Sequence, residues 1–136
     1  MVVPLGRALM AMETPVLAAH ALPMWGYVVL LALDEVPVRT QAALATAVGA
    51  DKTRIIGVLD QLQRDGLIER QPDPGDRRVH LLSLTTKGRS LRETVQADIR
   101  KREERVLARL TPADRKAFLR ALRTLSDAAG QIADGP

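Results

Sequence analysis

Apolar residues recur at helical spacing over most of this chain and at strand spacing over one short stretch. Leu5, Leu9, Met12 and Val16 predict an N-terminal helix that Pro4 can open. Pro15 lacks the backbone donor that a helix interior uses, so the pattern predicts a break or kink near Thr14. Pro23 opens a second helix over residues 23–33 that is apolar nearly all round, the mark of burial, and Asp34, Glu35 and Pro37 end it. Val38, Arg39 and Thr40 suit a minor strand.

Two shorter helices follow. Thr40 can cap the first, whose apolar members are Ala42, Leu44, Ala45 and Val48, and Gly49 stops it. Asp51 can cap the second, which runs to Arg64 and Asp65 with Gly66 as its stop. Ile55, Val58, Leu59 and Leu62 form its buried stripe, while Lys52, Thr53, Arg54, Ile56 and Gly57 lie off it. Leu67-Ile68-Glu69-Arg70 and residues 79–84 read as two strands. The segment between them, residues 71–78, holds two prolines, a glycine and two aspartates and reads as a turn.

Thr85, Thr86, Lys87 and Gly88 start a long helix with Leu91, Val95, Ile99, Val106 and Leu110 as a narrow apolar stripe. The charges crowding its other faces, from Arg92 to Arg105, read mostly as a solvated surface. Thr111, Pro112 and Asp114 mark a fresh helix start, and Phe118, Leu119, Leu122, Leu125 and Ile132 belong to one last helix that frays at residues 134–136. The predicted fold is mainly α with a small β-wing (α+β). A winged helix-turn-helix spans residues 36–85, segments 1–22 and 110–136 flank it, and a long helix over 86–109 links the two, all in a single domain of 136 residues.

Composition narrows the function. Aromatic residues make up only 2%, so the core must be aliphatic. With no cysteine there is no disulfide, thiolate sensor or cysteine-ligated zinc. His20 and His80 alone supply a metal site poorly, so no metal or other cofactor is expected. No apolar run reaches the length of a membrane span, and residues 1–12 make a poor signal peptide, so cytoplasmic residence is the expectation. A net charge of +4 is compatible with nucleic acid and also with an ordinary basic protein. No nucleophile elbow or phosphate-cradling glycine loop is present, and an enzyme is not expected.

The candidate chemistry lies in the winged helix. An ordinary hairpin tip does not need the adjacent Arg77 and Arg78; a tip touching a phosphate backbone or minor groove does. One of them is expected to reach DNA, and the other to pair with Asp73 or Asp76 and hold the wing's shape. Lys52, Thr53 and Arg54 are the base-reading candidates, since arginine can bond guanine through two donors and threonine can meet a base edge or a phosphate. Thr40 and Gln41 open a helix whose free amides can hold a phosphate. His20, Trp25 and Tyr27 cluster near the junction of the first two helices, and ligand pocket and plain core packing are the two readings. A winged-helix module that binds proteins and never touches DNA is the alternative; basic residues on the second helix and the wing argue against it.

Leu44-Ala45, Asp51 through Leu62, Asp65-Gly66-Leu67-Ile68-Glu69-Arg70, Asp73-Pro74-Gly75-Asp76-Arg77-Arg78, then Leu84-Thr85 and Gly88 closely resemble the MarR family of bacterial transcriptional regulators. The resemblance covers nearly the whole chain. It implies a homodimer whose first and last helices interlock, binding to pseudo-palindromic double-stranded DNA operators, and repression in most cases. It also implies release by a small, often aromatic or anionic, ligand held between the dimer helices and the winged helix. The early Pro15 and the small Gly57 depart from the pattern, and Gly57 removes a side chain from the middle of the recognition helix.

Overall fold

The computed structural model describes residues 1–35 and 39–134. Val36, Pro37 and Val38, and with them part of the expected minor strand, lie outside the described residues, as do Gly135 and Pro136. The elements run α1 (Val2–Ala19), α2 (Met24–Glu35), β1 (Arg39–Thr40), α3 (Gln41–Val48), α4 (Lys52–Arg64), β2 (Ile68–Pro72), β3 (His80–Leu84), α5 (Thr86–Leu107), α6 (Pro112–Asp127) and α7 (Ala129–Asp134). They fall into two compact units, Met1–Ile99 and Arg100–Pro136.

In the first unit α1 is one uninterrupted helix, so the break expected near Thr14 does not occur. Pro15 costs the Ala11 carbonyl its partner, but Ala11 is exposed and water can replace the bond. The Thr14 hydroxyl donates to the Met10 carbonyl at 3.2 Å in the same turn. Only Val16 and Leu17 of this helix are buried; Val2, Val3, Leu5 and Met10 are exposed. Formed as a helix, α1 is long and apolar enough by length and composition to cross a membrane, which reading uninterrupted apolar runs did not reveal.

Helix α2 supplies the centre of the core. Val29, Leu30 and Leu33 are fully buried with Leu44 of α3, Leu59 of α4 and Leu82 of β3. The sheet has strand order β1-β3-β2, all antiparallel, with Arg39 opposite Leu82 and Ile68 opposite Leu84. Strand β2 continues through Gln71 and Pro72, two residues the composition assigned to the turn. As the edge strand it can carry a proline without breaking a ladder on its outer side.

Gly49 closes α3 at φ +69, in the left-handed region that favours glycine. Gly88 is required by packing, since a Cβ there would lie 2.0 Å from the Leu67 carbonyl oxygen. At the same joint the Thr85 hydroxyl donates to the Gly66 carbonyl at 2.6 Å and its oxygen accepts from the Gly88 amide at 2.9 Å. The start of α5 is thereby fastened to the chain between α4 and β2. Val95 and Ile99 of α5 are buried. Arg92 is not part of the solvated face: its side chain is 12% exposed, lies 3.4 Å from Asp34 of α2 and donates to Gln96 at 2.7 Å.

In the second unit α5 ends at Leu107, and Leu110 lies in the following turn rather than on the helical stripe. Thr111 caps α6 by accepting from the Asp114 amide at 3.2 Å. The expected single last helix is two, because α6 closes at Ala128 and α7 restarts one residue later. Phe118, Leu122, Leu125 and Ile132 are all exposed, and α6 buries no residue.

Candidate nucleic-acid interface

Two helix starts and a hairpin base meet at one face. Thr40 caps α3, its side-chain oxygen accepting from the Ala43 amide at 3.1 Å. Asp51 caps α4 by accepting from the Arg54 amide at 2.8 Å. These caps fix where the two helices begin, each contributing about 1 kcal/mol. Between the helix starts and the wing lies a cleft of about 300 Å³ whose walls include Thr40, Gln41, Lys52, Ile56, Arg78 and His80. The structure thus gathers four of the predicted DNA-binding residues around one opening. Thr53 and Arg54 are exposed on the same first turn as Lys52.

The wing tip is held by its two aspartates. Asp73 accepts from the Gly75 amide at 2.8 Å. Asp76 accepts from the Arg78 backbone amide at 3.1 Å and from Arg78 Nε at 3.2 Å. These bonds from Arg78, the side-chain one first, hold the Asp76 carboxyl below its ordinary range. The Asp73 amide also donates to the Val79 carbonyl at 2.8 Å, closing the tip. Arg78 is 91% exposed even while paired. Arg77 has no hydrogen bond or ion pair to another described residue. One arginine of the pair therefore shapes the tip and the other is left with its donors unused.

Sequence reasoning missed two features here. Arg70 of β2 pairs with Asp60 of α4. That pair ties the wing to α4 and offsets an exposed acid on it. Its signal was weak, because Asp60 and Arg70 lie on different elements and each looks like an ordinary surface charge. Ile56, read from the sequence as lying off the buried stripe, is 44% exposed on α4. Beside it Gly57 is surrounded by open space, with nothing within 4 Å of a would-be Cβ. The second missed feature is a cation–π stack: the Arg54 guanidinium carbon sits over the Trp25 ring, 5.7 Å from its centre.

That stack bears on the candidate ligand residues, which the structure does not bring together. Trp25 faces Arg54. Tyr27 is buried in the core at 6% exposure. His20 lies 3.5 Å from Asp98 and lines an open cleft of about 540 Å³ with Lys87, Ser90, Leu91 and Thr94, to which Trp25 and Tyr27 do not contribute.

A capped helix, a short turn, a second capped helix with a basic exposed start and an arginine-tipped hairpin together define a winged helix-turn-helix. The profile of the MarR family matches residues 23–80. CouR, a transcriptional repressor solved bound to a 23-mer DNA duplex, is 34% identical and aligns over 90% of this chain and 89% of its own, with a TM-score of 0.74. The chain belongs to the MarR family of transcriptional regulators. NicR, an HTH-type transcriptional repressor of Pseudomonas putida, is 33% identical over 101 residues; the match covers 74% of this chain but only 64% of NicR, less than two thirds of its length. The PcaV regulator of Streptomyces coelicolor, solved in complex with its natural ligand, is 29% identical over 92% of this chain and 91% of its own, with a TM-score of 0.71.

Proposed function

We propose that the protein is a sequence-specific double-stranded DNA-binding repressor that acts as a cytoplasmic homodimer on a pseudo-palindromic operator. The observation that carries this reading is the convergence of Thr40, Gln41, Lys52 and Arg78 on one cleft beside the start of α4. In the proposed complex α4 enters the major groove and presents Lys52, Thr53 and Arg54 to base edges. The amides at the start of α3, with Thr40 and Gln41, hold a phosphate. Arg77 at the wing tip reaches the adjacent minor groove or its phosphates.

The dimer reading rests on apolar surface that each unit exposes separately. Leu5 and Met10 on α1 and Phe118, Leu122 and Leu125 on α6 have no cover within their own units. A second copy, covering segments 1–22 and 110–132, is the proposed partner, and it accounts for the apolar α1 without a membrane. Selection of bound duplexes from a random pool at stated salt tests the whole reading. A twofold motif with half-sites about 10 bp apart is the expected result. Recovery of no preferred sequence would overturn it and favour a module that binds protein instead.

A small aromatic or anionic ligand that releases the DNA completes the proposal. Its site is the cleft beside His20, where Lys87 supplies a cation and Ser90 and Thr94 supply hydroxyls. A neighbour solved with its natural ligand supports a ligand-responsive fold. Such a ligand would act by favouring one spacing of the two recognition helices, and only through its differential affinity for the two states. Coupling of about 1–3 kcal/mol would lower operator affinity roughly five- to 150-fold, and operator would lower ligand affinity equally. Titrating aromatic acids with and without operator measures both sides; a ligand whose affinity ignores operator would refute the switch.

A further inference from the structure

We propose that Trp25 is a positioning residue for DNA reading: its ring holds the Arg54 guanidinium at the start of α4 so that the donors of Arg54 face outward. The proposal rests on the DNA-binding reading above and deepens it. The half-buried Trp25 belongs to α2, outside the two helices and wing that form the cleft. Its ring centre is 5.7 Å from the Arg54 guanidinium carbon, within the range of cation–π attraction. An attraction between the guanidinium charge and the ring face uses none of the N–H donors as hydrogen bonds. Arg54 has no hydrogen bond or ion pair from its side chain to another described residue, so those donors are unused. The other end of the residue is fixed as well, because its backbone amide donates to the Asp51 cap at 2.8 Å.

The consequence is preorganisation. A free arginine on a helix surface samples many rotamers, and binding a base edge would have to freeze them. Trp25 removes part of that freedom before DNA arrives and leaves the donors of Arg54 for a two-donor bond to guanine. Trp25 is the only tryptophan in the chain, so its emission reports on the pair directly.

The test compares Trp25→Leu, Trp25→Phe, Arg54→Ala and the double variant Trp25→Leu/Arg54→Ala. Each is titrated against the selected duplex and its single-base-pair variants. Trp25→Leu should weaken discrimination roughly two- to tenfold at the same base pair that Arg54→Ala affects. It should add nothing in the Arg54→Ala background, and Trp25→Phe should keep most of the discrimination. In the DNA-free protein Arg54→Ala should change Trp25 emission. Equal losses on all duplexes, a further loss in the Arg54→Ala background, or emission indifferent to Arg54 would each overturn the proposal. A wild-type protein that selects no sequence would instead overturn the DNA-binding reading, and this proposal with it.

Discussion

Residues 40–84 and the terminal helices bury apolar side chains by different means. In the winged helix the partners are close at hand: Leu44, Ile55, Leu59, Leu62, Ile68 and Leu82 are buried against one another and α2. Its helix starts are capped by Thr40 and Asp51, and its hairpin tip is tied by Asp73 and Asp76. In α1 and α6 the helices are as regular, yet Met10 is 57% exposed and Leu125 is 59% exposed. The first region is complete within its own chain. The second is a pair of formed helices with apolar faces that nothing in their own units covers. The difference fits the proposed division of labour, in which one region would supply the reading surface and the other the surface for a second copy.

The largest effect expected is inside the self-contained region. Leu59→Ala, at a fully buried position, should cost about 2–5 kcal/mol of stability. The loss should be similar at every protein concentration when followed by denaturant melts. Replacing Leu122 and Leu125 with Glu attacks the other region. Both are exposed, so helix content should survive, while association should weaken by roughly 2–4 kcal/mol. Sedimentation at several concentrations reads this; unchanged mass would erase the contrast between the two regions.

The next effects fall on the proposed reading surface alone. Arg54→Ala should cost about 1–3 kcal/mol of operator binding, concentrated at one base pair. A loss spread evenly over all sequences would make Arg54 a phosphate-binding residue. Replacing Arg77 and Arg78 with Ala should flatten the salt dependence, by a slope of about one for each phosphate no longer neutralised, while the fold survives. An unchanged slope would leave the wing as a hairpin only.

The smallest effect concerns pH. The Asp76 carboxyl is held low by Arg78, so its tie to the wing is present above the ordinary aspartate range and is lost as pH falls through the lowered value. Wing amide protection should therefore stay constant from about pH 5 to 8 and weaken only in acid. A change near neutral pH would point to another group.

What was legible in the sequence follows the same contrast. The caps at Thr40, Asp51 and Thr111 were readable because each bonds an amide three residues on. The buried stripe of α4 was readable because its period is local. Gly88 stood out as part of a pattern, and the structure supplies the reason in the Leu67 carbonyl that leaves no room for a side chain. Features that depend on distant partners were not readable. The continuity of α1 through Pro15 depends on exposure that lets water serve Ala11. Arg92 looked solvated until Asp34 was placed beside it. The Trp25–Arg54 stack and the Asp60–Arg70 pair join elements whose packing no local rule specifies. The split at Ala128 has no local mark before Gly130. His20, Trp25 and Tyr27 looked like one cluster because they are near in sequence, yet His20 closes α1 while Trp25 and Tyr27, two residues apart on α2, meet Arg54 and the core respectively.

The central claim is that one region of each chain reads DNA while the other joins two chains over one site. The mass of the protein–operator complex, measured by native mass spectrometry with the selected duplex, tests it most directly. Two chains per duplex is the predicted result, with the Leu122 and Leu125 variant unable to form that species at concentrations where the parent does. A single chain bound to the intact duplex with undiminished affinity would contradict it.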